Sequence, residues 1–78
     1  MKKYTTLNNL NIGDRCKIKD INISGNMYRR LLDIGLIEGT EVECVGMSPT
    51  GDPKAYYIRG AIIAIRNENT KNIKVKQF

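Results

Sequence analysis

Short runs in which apolar and polar side chains alternate, cut apart by glycine and proline, decide what this chain can build. Residues 15–19 read Arg-Cys-Lys-Ile-Lys, residues 40–45 alternate Glu41 and Glu43 with Val42 and Cys44, and residues 73–76 alternate again. That period of two belongs to strands with one dry and one wet face. Two further runs, 55–59 and 61–66, meet at Gly60 and read as paired strands. Only residues 27–34 carry helical spacing, with Met27, Leu31 and Ile34 on one side and Tyr28 and Leu32 beside them. About five short strands and one short α-helix in 78 residues describe a mostly β fold, a small closed barrel in a single domain over 1–78. A chain of this size buries only about 60% of the surface that it exposes unfolded. A deep active site with supporting layers has little room.

Local signals fill in the connections. Residues 7–14 form a turn-rich start punctuated by Gly13-Asp14. Cys16 and Ile18 face inward until Asp20 breaks the alternation, which predicts a bulge or turn there. Ser24, Gly25 and Asn26 offer an N-cap. Gly35 sits where a left-handed residue closes a helix, which makes Leu36 fold back on Leu31. Residues 37–40 form a tight turn, and the two prolines of 48–53 mark a loop. Residues 67–72 are polar and can hold one helical turn. Tyr56 and Tyr57 are adjacent in a strand, so one belongs to the core and the other to the surface.

Composition removes several functions. The chain has no histidine, hence neither the commonest acid–base catalyst nor the commonest metal ligand. Its two cysteines, Cys16 and Cys44, lie in aliphatic strand contexts without a CxxC spacing, and read as reduced core residues. The start at Met1-Lys2-Lys3 is basic but no apolar stretch follows it, and the longest apolar run, 61–65, has five residues where a span needs about 20. A soluble, uncleaved cytoplasmic chain is expected. The net charge of +5 is unevenly placed: residues 1–30 carry +5, residues 31–53 carry −5 and residues 54–78 carry +5. An acidic middle third interrupts the continuous positive surface that a nucleic-acid binder needs, unless it folds to the opposite side. A bipolar surface suits a charged protein partner.

The string from Arg29-Arg30-Leu31-Leu32-Asp33-Ile34-Gly35-Leu36 through Ile37-Glu38-Gly39-Thr40-Glu41-Val42 resembles the FeoA family of bacterial ferrous iron uptake. The likeness extends over residues 7–13, Gly51-Asp52-Pro53, Ile58-Arg59-Gly60, residues 63–66 and Ile73-Lys74-Val75, nearly the whole chain. It implies an SH3-like barrel and a regulatory role. The implied partner is FeoB, the membrane Fe²⁺ transporter with a cytosolic GTP-binding domain, so the membrane is reached only through that partner. Relatives often carry acidic and Ala-rich residues after the position of Arg66, where this chain has Asn67-Glu68-Asn69-Thr70.

Gly35 and Gly39 fit a cap and a turn, and no GxGxxG or GxxxxGK[ST] motif is present for GTP. Arg29 and Arg30 suit docking better than an arginine finger. Arg59 and Arg66 fall in strands and neutralise Glu41 and Glu43. Without histidine, an iron site would need carboxylates such as Glu38, Glu41, Glu43 and Asp52, or thiolates shared between chains. No catalytic, cofactor or metal residue is therefore assigned, with weak or transient Fe²⁺ binding left open. The candidate partner surface comprises Arg29, Arg30, Leu36, Ile37 and the exposed member of Tyr56 and Tyr57. The expected function is a non-catalytic accessory that docks on FeoB. The alternatives are a basic barrel binding nucleic acid and a soluble Fe²⁺ chaperone; a homo-oligomer is left open.

Overall fold

Alternation places Cys16 and Ile18 of β2 (Arg15–Ile21) and Val42 and Cys44 of β3 (Glu41–Met47) on the buried side of an antiparallel pair in which Cys16 faces Val42. The rest of the sheet grows outward from this pair. In this computed structural model, which describes residues 3–78 and leaves Met1 and Lys2 outside the described residues, there are six strands. The others are β1 (Lys3–Thr6), β4 (Lys54–Ile58), β5 (Ala61–Ile65) and β6 (Ile73–Gln77), and all pair antiparallel in the order β1-β6-β2-β3-β4-β5. The expected count of about five missed β1, a four-residue strand with no buried residue and hence no inward period to read.

Two bulges bend the sheet. One shifts the β2–β6 register between Ile18 and Asp20, where the alternation breaks, and the other shifts β3–β4 between Cys44 and Gly46. Side chains of β2 to β6 thereby reach one core cluster with Leu31 and Leu36. The residues read as a turn-rich start contribute to it as well. A 3-10 turn at Leu7–Asn9 buries Leu7 fully, and Leu10 follows it into the interior. Lys54 holds this turn in place: its buried Nζ donates to the carbonyls of Asn8 (2.6 Å) and Leu10 (2.8 Å). Hydrogen bonding does not run the whole way round, however. Among the described residues the ladders end at β1 and β5, so the expected closure is incomplete.

The helix α1 (Gly25–Asp33) begins at Ser24, whose side chain makes no cap bond, and ends as its sequence requires. Gly35 has φ +87°, its N–H donates to the Leu32 carbonyl, and the Leu36 N–H donates to the Leu31 carbonyl, both at 2.9 Å. This double bond pattern is the Schellman cap. Buried Thr40 then fastens the turn, because its Oγ1 donates to the Gly35 carbonyl (2.9 Å) and accepts from the Ile37 N–H (3.2 Å). The turn is anchored to β2 by Gly39 N–H on the Ile18 carbonyl and Ile18 N–H on the Thr40 carbonyl. Only Leu31 of α1 is buried outright, with Met27 and Ile34 partly so; Tyr28 and Leu32 remain exposed, which narrows the expected apolar face. A four-residue helical turn, α2 (Asn67–Thr70), forms where one was allowed, and Asp52 Oδ1 accepts its first N–H at 2.9 Å.

Substituting Gly35→Ala is expected to cost about 1–2 kcal/mol from the left-handed backbone alone, and its Cβ would meet the Arg59 side chain. Urea unfolding compared with an Ala substitution at exposed Lys71 measures the difference. Burial pushes the Cys16 thiol from 9.0 up to about 12 and the Tyr56 phenol from 10.0 up to about 12, and it raises Cys44. The unfolded chain releases these protons first, so stability present below pH 9 is lost as the pH rises towards 12. The urea midpoint should fall between pH 8 and 11, and fall less steeply in Cys16→Ala; a flat profile would contradict the assignment.

Candidate functional site

Three grooves lie around α1 and the outer sheet, and they separate the residues that the sequence suggested together. The largest, about 250 Å³, runs between α1 and β5. Met27, Leu31 and Ile34 line it from the helix and Ile63, Ala64 and Ile65 from the strand, with Arg30, Arg66 and Asn69 beside them. A second, about 160 Å³, opens on the other side of α1, where exposed Tyr28, Leu32 and Ile37 meet Lys19, Asp20 and Glu38. The third, about 170 Å³, lies on the outer sheet among Arg15, Glu41, Glu43, Tyr57 and Arg59.

Two residues of the expected partner surface, Leu36 and Tyr56, lie in the core. Leu36 is fully buried, because the cap that turns it back towards Leu31 also carries it into the core. Tyr56 is fully buried too, with its hydroxyl 3.4 Å from the Leu7 carbonyl, whereas its neighbour Tyr57 is 47% exposed. Neither Leu36 nor Tyr56 can meet a partner. Arg29, Arg30, Ile37 and Tyr57 remain at the surface, but Arg30, Ile37 and Tyr57 line three different grooves. Tyr28, Leu32 and Ile62 were missed as surface residues. Helical spacing assigned the first two to the core, and Ile62, at 69% exposure, sits in a run too apolar to show which side faces water.

Charge is also arranged differently from the expectation. Arg59 belongs to the β4–β5 turn, with φ +48° followed by Gly60 at +92°, the pair of positive values that a two-residue hairpin requires. Arg66 precedes α2. Across the β2–β3 pair Arg15 faces Glu43 and Lys17 faces Glu41, and Arg59 lines the same groove as both glutamates. Two acidic residues of the middle third thus lie beside two cations of the first third on one outer face. Arg15 also stacks over the Phe78 ring at 5.8 Å.

Among the described residues, no three Cys, Asp or Glu side chains come together in a form that could hold a metal ion. Both cysteines are free, buried and shifted towards the protonated form, so they offer no ready thiolate. Among the described residues, no helix is long and apolar enough to cross a membrane.

Comparison with known proteins places this arrangement. The Fe(2+) transport protein A/Fe(2+) transporter FeoB fusion protein of Porphyromonas gingivalis is 29% identical over 70 residues, which cover 90% of this chain and 8% of the fusion protein. The solution structure of iron(II) transport protein A from Clostridium thermocellum superposes with a TM-score of 0.87 at 30% identity, over 92% of this chain and 44% of that one. The zinc complex of FeoA from Stenotrophomonas maltophilia, described as a prokaryotic SH3 domain protein, does so with a TM-score of 0.77 at 25% identity, over 91% and 88% of the two chains. The fold is therefore SH3-like, with six strands. A family model for the FeoA domain matches residues 5–77, and the chain belongs to the FeoA family, which is associated with ferrous iron transport.

Proposed function

We propose that this chain is a non-catalytic accessory of ferrous iron uptake that docks on a FeoB-type membrane transporter with a GTP-binding domain and modulates its activity or assembly. The observation that carries this reading is the Porphyromonas gingivalis protein, in which a segment similar to nearly all of this chain is joined covalently to a FeoB transporter. Fusion holds two modules at high effective concentration. Where the modules are separate chains, surface affinity must replace the linker.

The surface of α1 supplies residues suited to that task. Arg29 and Arg30 are exposed on it, and Tyr28, Leu32 and Ile37 form an exposed apolar cluster alongside. Arginine and tyrosine recur among residues that dominate binding energy, because each combines apolar area with a polar head. Docking of this kind would hold the chain at the cytoplasmic face of the membrane through its partner. Modulation then needs only a difference in affinity between two states of the transporter.

Co-purification with the transporter, paired with Fe²⁺ uptake in cells, tests the reading. The double variant Arg29→Glu/Arg30→Glu is expected to lower association at least tenfold and to lower uptake with it, whereas Lys71→Glu leaves both unchanged. Loss of uptake on deleting the chain, with no association detected for the unaltered protein, would overturn docking.

A further inference from the structure

The outer edge of β5 is unusual for a strand at the end of a sheet. The two-residue turn at Arg59-Gly60 makes Ile58 and Ala61 a hydrogen-bonded pair, and the pairs alternate from there. Ile63 and Ile65 therefore bond to β4, while the N–H and C=O groups of Ile62 and Ala64 point away from the sheet. The strand reads Ala-Ile-Ile-Ala-Ile, without a charge or proline to discourage pairing. The opposite edge is guarded differently: β1 is polar, begins with Lys3, and carries Tyr4 beneath the Lys76 ammonium at 5.5 Å.

Beside the free edge lies the groove to α1. Its floor is apolar, Ala64 is part of its lining, and two of its lining residues are the exposed arginines Arg30 and Arg66. No acidic residue lines it. We propose that the free edge of β5, with the adjoining groove, binds an extended acidic segment of a partner polypeptide as an added β-strand. Main-chain bonds to Ile62 and Ala64 supply affinity that depends little on sequence. Alternate side chains of the added strand supply the selection, aliphatic ones for the apolar floor and carboxylates for Arg30 and Arg66.

A second copy of this chain fits the edge less well. Antiparallel self-pairing about Ile63 would set Arg66 beside the Arg59-Gly60 turn of the other copy at both ends of the strand. Like charges brought together in this way oppose association. The chemistry of the groove thus favours a carboxylate-bearing strand, independently of the transport reading.

The test is a titration of the isotope-labelled full chain with an octapeptide alternating valine and glutamate, beside one alternating valine and lysine, followed by NMR. The glutamate peptide is expected to shift the Ile62 and Ala64 amides and slow their exchange with solvent, and the lysine peptide to leave them unchanged. Affinity should fall at least tenfold in Arg30→Glu/Arg66→Glu, both exposed positions, and Ala64→Pro should remove binding by deleting an edge donor. If the proline variant does not fold, the arginine variant carries the test. Equal binding of both peptides, or no binding of the glutamate peptide at millimolar concentration, would overturn the proposal. So would binding that spares the Ile62 and Ala64 amides, or protection of those amides by self-association without peptide.

Discussion

The reversal from α1 into β3 fixes where the helix stands, and the largest groove exists only because of it. Gly35 adopts a backbone conformation that costs other residues about 1–2 kcal/mol, and in doing so turns Leu36 into the core. The buried Thr40 hydroxyl then bonds both sides of the turn, and Gly39 and Thr40 fasten it to Ile18 in the middle of β2. With one end of α1 held to the sheet in this way, Met27, Leu31 and Ile34 are carried opposite β5. The other end has no side-chain cap. A helix that buries only Leu31 outright depends on this single well-made end.

Much of this was legible because it rests on local chemistry. Alternation identified the inward faces of β2 and β3 through Cys16, Ile18, Val42 and Cys44, and the Gly35 cap with its returning Leu36 followed from spacing alone. The bulge near Asp20 was visible as a break in period. What escaped depends on contacts distant in sequence. β1 exists because β6 offers it a partner. Leu7 and Leu10 are buried because Lys54, more than forty residues away, bonds the carbonyls of Asn8 and Leu10. Neighbouring Tyr56 and Tyr57 were separable in principle, but only the three-dimensional register decides which one faces water.

The candidate surface shows the same division. Residue type pointed to Arg29, Arg30, Leu36, Ile37 and a tyrosine, and all of these but Leu36, which the cap buries, are at the surface once Tyr57 is chosen. Their grouping into one patch could not be read, because α1 presents its two sides to different grooves and β4 presents Tyr57 to a third. The charge pattern changes meaning in a similar way. Strands from the basic first third and the acidic middle third become neighbours, with Arg15 facing Glu43 and Lys17 facing Glu41. That mixed face is a poor track for a phosphate backbone, while Arg29 and Arg30 stand exposed on α1, apart from it.

Hydrogen exchange of the chain bound to a FeoB-type transporter in detergent, compared with the free chain, tests the central claim most directly. Docking through α1 and its flanking grooves is expected to slow exchange in the helix and in β5, while leaving the β1–β6 ladder unchanged. Protection confined to β1 and β6, or an exchange pattern identical with and without the transporter, would contradict the account.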